Sequence, residues 1–168
     1  IVVGGGSGGI ASANRAAMHG AKVLLIEAQE TGGTCVNRGC VPKKVMWYGA
    51  QVAEAIGKYA GEYGFKVASS DFDFAILKKN RQAYIDRIHG SYERGFAANG
   101  VEVLNAYARF LDAHTLEADG QPYTAPHILI ATGGHARIHN ITGADYGITS
   151  DGFFEMHKIP KRAALVGA

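Results

Sequence analysis

The hydrophobic pattern of the first thirty residues predicts a strand, a helix and a second strand. Residues 1–3 are an apolar run, and a glycine-rich stretch separates them from an alanine-rich segment typical of a helix to about His19. Gly20 suits the end of that helix. A second apolar run at residues 21–26 is closed by Glu27. This succession is a βαβ unit.

Two longer helices are predicted in the middle of the chain. Apolar residues recur at helical spacing in residues 43–60 and again in residues 72–96. The recurring apolar residues of the second helix are Leu77, Tyr84, Ile88, Tyr92 and Phe96. Residues 59–70 contain glycine and show no clear period, so we expect a connecting loop there.

The remaining apolar runs predict strands. Residues 101–104 and 127–131 are typical of strands of the main sheet, and residues 163–168 of a later strand. Between residues 104 and 127, three short strand-like segments are separated by turns; they cover residues 107–111, 115–118 and 121–124. They indicate a small antiparallel β-meander inserted into an α/β domain.

Composition limits the classes of function. A chain of 168 residues is the size of one domain with a sizeable core. A net charge of +2 without a basic run gives no case for binding nucleic acid or a membrane surface. No apolar run approaches the roughly 20 residues of a membrane span. Ile1 is not an initiator residue, so we expect the given sequence to begin downstream of the protein's own N-terminus. We expect a cytoplasmic location and leave open a targeting segment before Ile1.

The glycine-rich stretch contains G-x-G-x-x-G at Gly4, Gly6 and Gly9. Such loops are common, and a glycine turn without a ligand is the alternative. A strand before it, a helix after it and Glu27 about 20 residues on together indicate a dinucleotide fingerprint. The glycines let backbone approach a pyrophosphate at the helix N-terminus, and Glu27 can accept hydrogen bonds from ribose hydroxyls. The fingerprint alone does not separate NAD from FAD.

Both cysteines, Cys35 and Cys40, lie in one short stretch. Five positions along an ideal helix leave Cα atoms about 8.6 Å apart, whereas a disulfide tolerates roughly 4.4–6.8 Å. A bridge therefore requires bent backbone, which Gly39 and Asn37 permit. Pro42 suits the first turn of a following helix, so we expect Cys40 near a helix N-terminus, where the macrodipole favours a thiolate.

On the residues alone the cysteine pair has several interpretations. A redox dithiol, a structural disulfide and two unrelated buried thiols stay open, although a reducing compartment would not maintain a structural disulfide. A zinc site lacks a C-x-x-C or a nearby histidine pair. The histidines considered show no ligand spacing, so no metal is predicted; they are His114, His127, His135 and His139.

The string G-G-T-C-V-N-R-G-C-V-P-K-K at residues 32–44 resembles, almost letter for letter, the redox-active motif of the FAD-dependent pyridine-nucleotide disulfide oxidoreductases. Residues 45–47 and 150–154 are similar to the glutathione reductases within that family. The resemblance covers essentially the whole chain. It implies a doubly wound, Rossmann-type FAD-binding domain at residues 1–162, with residues 163–168 as the truncated start of an NAD(P)-binding domain.

The resemblance also implies an activity. NADPH would reduce FAD, FAD would reduce a Cys35–Cys40 disulfide, and the dithiol would reduce glutathione disulfide. Cys40 is implied as the thiolate beside the flavin, and Cys35 as the more exposed thiol that attacks the substrate. A homodimer formed through a missing interface domain would complete the enzyme, so the fragment alone is expected to be inactive. The alternatives are dihydrolipoamide dehydrogenase, trypanothione reductase or a non-catalytic FAD-binding fragment.

Residue roles carried over from the family complete the expectation. The implied FAD contacts are Gly4, Gly6, Ser7, Gly8, Gly9, Glu27, Thr34, Cys35, Lys43, Ala108, Thr132 and Gly133. The implied substrate residues are Ser7, Asn14 and Tyr92, although an aromatic at a helical core position is more often packing. Residues 131–134, A-T-G-G, are similar to the family's second FAD-contacting motif. Beyond it, Ala136 and Thr142 replace usual prolines, a change that concerns the rigidity of the loop more than FAD binding.

Overall fold

The structure, a computed structural model, describes residues 1–69, 71–138 and 140–167. Ser70, His139 and Ala168 lie outside the described residues, as do the parts of the loop, histidine and strand predictions that fall on them. The α-helices of the described ranges are α1 (Ser7–Met18), α2 (Gly33–Arg38), α3 (Cys40–Glu54), α4 (Phe74–Asn99) and α5 (Ser150–Glu155). The strands are β1 (Val2–Val3), β2 (Val23–Glu27), β3 (Val101–Asn105), β4 (Ala108–Phe110), β5 (Thr115–Ala118), β6 (Gln121–Thr124) and β7 (Leu129–Ile130). A π-helical turn (Ala55–Tyr59) follows α3, and a 3-10 turn covers Ala144–Tyr146.

Two sheets organise the domain. The first is parallel, with strand order β3-β2-β1-β7, and Val2 of its inner strand β1 lies opposite Leu25 and Leu129. The second is the antiparallel meander β4-β5-β6, in which Leu116 lies opposite both Phe110 and Tyr123. The predicted α/β class with an inserted antiparallel meander is confirmed.

The parallel sheet is covered on both faces. Along β2, Val23 and Leu25 belong to a core shared with α1 and α4, whereas Leu24 and Ile26 pack toward the meander around Leu116. Successive side chains of a strand point to opposite faces of the sheet. The unbroken apolar run of β2 therefore packs against the helices on one face and against the meander on the other. Leu25 and Ile26 are accordingly almost fully buried. This layering is that of a Rossmann-type domain.

Helix α4 differs in part from its prediction. The helix itself is confirmed, but the buried positions within it include Arg81 and Ile85, while the ring of Tyr84 is largely exposed. Tyr84 was assigned to the apolar face because it is aromatic. One residue along a helix corresponds to about 100° of rotation, so Ile85 faces the core and Tyr84 does not.

Two local predictions also differ. Helix α2 lies in a stretch for which no helix was predicted, because six residues between glycines carry no readable period. Residues 163–167 form neither helix nor strand, so the strand predicted there is wrong for its described part. A strand needs a neighbour for its backbone groups, and no described residue pairs with this segment.

Among the helices described, none has the length and apolar character to cross a membrane.

Candidate functional site

The carboxyl ends of three parallel strands meet at one edge of the main sheet. The glycine loop follows β1, Glu27 ends β2, and Thr132 follows β7 closely. Strand β1 lies between β2 and β7, so the chain moves to one side of β1 for its next strands and later returns on the other. Ligands of open α/β sheets bind at this kind of switch point.

The three fingerprint glycines differ in what they permit. Gly4 has φ +107°, and a Cβ on it would overlap the carbonyl of Ala131; a Cβ on Gly9 would overlap the carbonyl of Gly4. Gly6 has an ordinary φ of −81°, and the nearest atom to a Cβ there would be Gly33 Cα at 3.8 Å. Gly4 and Gly9 therefore allow backbone to pack on backbone, while Gly6 leaves open space beside the loop.

The N-terminus of α1 suits an anion. This 12-residue helix begins at Ser7, and no described side chain caps its first turn, which also carries no acidic residue. Ser7 and Gly8 are exposed. The first amides of a helix lack intrahelical acceptors and carry the positive end of the macrodipole, so the open space at Gly6 fits a phosphate or pyrophosphate.

Glu27 holds the glycine loop in place. One carboxylate oxygen accepts a short hydrogen bond from the amide of Gly5, and the other accepts from the amide of Gln29 at 2.6 Å. The side chain is half-buried. Since a carboxylate has about four lone-pair positions, acceptor capacity remains for a ribose hydroxyl. The structure adds a positioning role to the ribose contact that the sequence predicts.

Both cysteines lie at a break between two helices. Cys35 is in α2, Cys40 is the first residue of α3, and Gly39 between them has φ −152° and ψ −115°. A Cβ on Gly39 would lie 2.7 Å from the carbonyl oxygen of Thr34, so glycine is needed for this bend. Pro42 is buried in the first turn of α3. The predicted bend and the predicted position of Cys40 at a helix N-terminus are both confirmed.

The ionisation of the Cys35 thiol depends on the Cys40 thiol. Both are free, and the hydrogen bond between their side chains, with added burial, raises the pKa of Cys35 above that of an ordinary thiol. The hydroxyl of Ser7 also bonds to Cys35 and lowers its pKa, though by less. Cys35 is half-buried and Cys40 exposed, so the expectation that Cys35 is the more exposed thiol is wrong for this structure. The difference follows from their places in the fold, since Cys35 lies within α2 next to the buried Val36, whereas Cys40 is the first residue of α3.

Two of the other predicted cofactor residues, Ala108 and Thr132, lie close to this edge. The amide of Ala106, two residues before Ala108, donates to the carbonyl of Glu27 at 3.0 Å, which brings the start of β4 to the end of β2. The backbone nitrogen of Thr132 would lie 3.0 Å from a Cβ on Gly4. Thr34, Lys43 and Gly133, the remaining residues of the predicted set, are exposed.

Two predicted substrate residues take part in packing. The amide of Asn14 donates to the carbonyl of Ile10 at 3.0 Å, and its oxygen accepts from Asn99 at 2.7 Å. Tyr92 is half-buried and packs against the core shared by α1 and α4. Both side chains therefore hold α1 and α4 together, while Ser7 is an exposed residue at the start of α1 and lowers the pKa of Cys35.

Three residues of structural weight were missed by the sequence analysis. The side chains of Asn37 and His89 are joined by a hydrogen bond, with 2.7 Å between Oδ1 and Nε2, although the residues are 52 positions apart. Arg81 is buried; its Nη2 donates to the carbonyl of Phe154 at 2.9 Å, and its Nε has no partner among the described residues. Burial lowers the pKa of Arg81. No local pattern identifies such long-range partners.

Acidic, histidine and cysteine side chains do not gather into a possible metal site anywhere in residues 1–69, 71–138 and 140–167. The groups near this edge that can react are the two thiols, beside a glycine loop that is open to an anion.

The chain is similar to known proteins over its whole length. The sequence profile of the family described as Pyridine nucleotide-disulphide oxidoreductase matches residues 1–168. A glutathione reductase of Yarrowia lipolytica is 48% identical over 99% of this chain, and one of Schizosaccharomyces pombe is 49% identical over all of it. In both cases the chain spans 38% of the length of the relative.

Proposed function

Because the chain belongs to the pyridine nucleotide-disulphide oxidoreductase family, we propose that it is the FAD-binding part of a flavoprotein disulfide reductase. Its electrons would pass from NADPH through FAD and the Cys35–Cys40 pair to glutathione disulfide. The observation that carries this proposal is the placement of Cys35 and Cys40 on either side of the backbone break at Gly39, next to an open glycine loop. The similarity to two glutathione reductases supports the substrate.

Residues at the carboxyl edge of the sheet would hold the FAD. The amides at the start of α1 would bind its pyrophosphate in the space beside Gly6, and Glu27 would accept from a ribose hydroxyl. Ala108, Thr132 and Gly133 would line the remaining length. When bound, FAD would supply hydride acceptance from a nicotinamide and two-electron delivery to a disulfide.

The two thiols would carry out the disulfide exchange. A reduced Cys35 thiolate attacks one sulfur of glutathione disulfide, forming a Cys35–glutathione mixed disulfide and releasing one glutathione thiolate, which takes up a proton. Cys40 then loses its proton and attacks the Cys35 sulfur, which forms the Cys35–Cys40 disulfide and releases the second glutathione. Two electrons leave the dithiol, and two glutathione thiols are formed.

Neighbouring side chains would assist this exchange. The Ser7 hydroxyl stabilises the Cys35 thiolate, because its hydrogen bond lowers the pKa of that thiol. Lys43 lies in the first turn of α3, close along the chain to Cys40, and would place a cation near the flavin. Asn14 and Tyr92 pack between α1 and α4, and the part of each side chain that is still exposed would border the substrate. Residues 1–162 would form the FAD-binding domain, residues 163–168 would begin the NAD(P)-binding domain, and a homodimer would complete the site.

The proposal is tested with the full-length protein. We expect it to retain FAD on purification and to oxidise NADPH when glutathione disulfide is added. Cys35→Ser and Cys40→Ser should each lower turnover by at least about a thousandfold, because either change destroys the two-electron couple. Preference for lipoamide or trypanothione disulfide would assign a sibling reductase, and bound flavin without disulfide turnover would indicate a non-catalytic flavoprotein.

A further inference from the structure

A chain of hydrogen bonds joins the long helix α4 to α2, the short helix that carries Cys35. Nε2 of His89 lies 2.7 Å from Oδ1 of Asn37. The amide group of Asn37 donates to the carbonyl of Glu30 at 3.1 Å and to that of Thr31 at 3.3 Å. These two carbonyl acceptors fix the orientation of the amide, so His89 Nε2 is the donor to its oxygen.

Helix α2 depends on its neighbours for its orientation. It has six residues, buries Val36 alone, and begins after Gly32 at φ +108° without a side-chain cap among the described residues. A helix this short is not stable in isolation. By contrast, α4 has 26 residues and is anchored in the core by Ile85 and Phe96, so its end of the hydrogen-bond chain is the fixed one.

We propose that His89 is a positioning residue for the Cys35–Cys40 couple and acts through Asn37. Cys35 precedes Asn37 by two positions on the same short helix, whereas Cys40 begins the next helix. A disulfide forms only within a narrow range of Cα separations. The rotation of α2 therefore sets how readily the Cys35 sulfur reaches Cys40. This inference rests on the proposed function, in which the two thiols form a redox couple.

The test measures the dithiol–disulfide equilibrium of the full-length holoprotein without glutathione. In buffers of reduced and oxidised dithiothreitol, the Cys35–Cys40 disulfide takes two electrons and two protons from reduced dithiothreitol, which closes to its cyclic disulfide. After acid quenching, maleimide labelling and mass spectrometry give the reduced fraction. His89→Leu removes the donor while keeping volume, and His89→Gln keeps an amide donor at a similar reach.

We expect His89→Leu to shift the equilibrium about threefold to tenfold toward the dithiol, because α2, no longer held by α4, must be ordered again before Cys35 can close on Cys40; a shift of this size corresponds to one hydrogen bond. His89→Gln should stay within about twofold of the original protein, and Arg87→Gln, an exposed change on the same helix, should show no shift. Asn37→Ala removes the acceptor and should reproduce the His89→Leu shift, which keeps the test valid if His89→Leu fails to fold.

Several outcomes would overturn the inference. Equal shifts in His89→Leu and His89→Gln would show that the shape of the side chain matters and its hydrogen bond does not. The absence of a shift in either His89→Leu or Asn37→Ala would exclude a positioning role for His89. In a double variant that combines His89→Leu with Asn37→Ala, a shift equal to the sum of the two single shifts would show that the two residues act separately. An original protein that forms no Cys35–Cys40 disulfide would overturn both this inference and the proposed function, whereas normal disulfide formation with the wrong substrate preference contradicts the proposed function only.

Discussion

The amide of Gly32 donates a hydrogen bond to the carbonyl of Gly5 at 2.7 Å. This bond joins the glycine loop after β1 to the residue before α2, the helix that carries Cys35. Next to it, a Cβ on Gly33 would lie 2.7 Å from Gly6 Cα, so the two backbones are in close contact. The proposed phosphate site and the helix that carries Cys35 are therefore in direct backbone contact, although more than 20 residues separate them in sequence.

Gly33→Ala is expected to weaken this arrangement. Gly33 has φ +58° and backbone contact, whereas Gly20 has φ +88° with no atom within 4 Å of its Cβ position. Gly20→Ala therefore measures the backbone strain alone, and Gly33→Ala adds the overlap. We expect Gly33→Ala to lower the free energy of unfolding by about 1–3 kcal/mol more than Gly20→Ala in urea titrations. Equal losses would show that α2 moves away from Gly6 at no cost.

Gly6→Val is expected to remove FAD while leaving the fold intact. The backbone of Gly6 is in an ordinary extended conformation, and its Cβ direction is open, so a side chain there would occupy the space assigned to the pyrophosphate. In the full-length protein, visible absorbance should show at least about a tenfold loss of bound flavin. Gly9→Ala should instead unfold the domain, because its Cβ overlaps the carbonyl of Gly4. Stoichiometric flavin in Gly6→Val would contradict the assignment.

Cys40→Ala should trap the substrate on Cys35. With the resolving thiol removed, attack by Cys35 on glutathione disulfide stops at the mixed disulfide. Mass spectrometry of the full-length variant should find one glutathionyl group, located on Cys35 by peptide mapping. Cys35→Ala provides the comparison, and a stable adduct on Cys40 in that variant at an equal rate would remove the distinction between the two thiols.

The pH dependence of Cys35 alkylation should report its two neighbours. The hydrogen bond to Cys40 is the largest cause that raises the pKa of Cys35, and that to Ser7 lowers it. Cys40→Ala should therefore move the alkylation profile of Cys35 to lower pH, and Ser7→Ala should move it to higher pH. Rates of iodoacetamide labelling between pH 6 and roughly pH 10 span the range of ordinary thiols and check both directions. Shifts of the same sign in both variants would contradict the observed geometry.

Ala11→Glu should weaken the use of glutathione disulfide. Ala11 is exposed on α1, one turn beyond Ser7, which lowers the pKa of Cys35. A carboxylate there would repel the carboxylates of glutathione disulfide by a few kcal/mol at ~4 Å before screening. We expect the KM for glutathione disulfide to rise by at least about tenfold in the full-length protein, and trypanothione disulfide turnover to improve. Ala83→Glu, at an exposed position of α4, is the matched control. Unchanged kinetics with both substrates would show that this face of α1 does not line the pocket.

Local order was accessible from sequence where periodicity or backbone chemistry is short-range. The βαβ unit, the meander and the bend at Gly39 follow from alternation, turn residues and the geometry required of two close cysteines. The same holds for the G-x-G-x-x-G loop, since its flanking strand and helix are its neighbours along the chain. Over such distances few alternative structures compete, so the residue pattern decides.

Contacts between distant segments were decided only by the tertiary structure. Asn37 and His89 meet because α2 and α4 pack together, and Arg81 is buried because α5 places the carbonyl of Phe154 over it. The exposure of Cys40 likewise depends on how α3 sits against the rest of the domain, and it reverses the order expected for the two thiols. Sequence determines which side chains are able to donate, accept or ionise. Packing determines which partner each one meets, and therefore what its chemistry becomes.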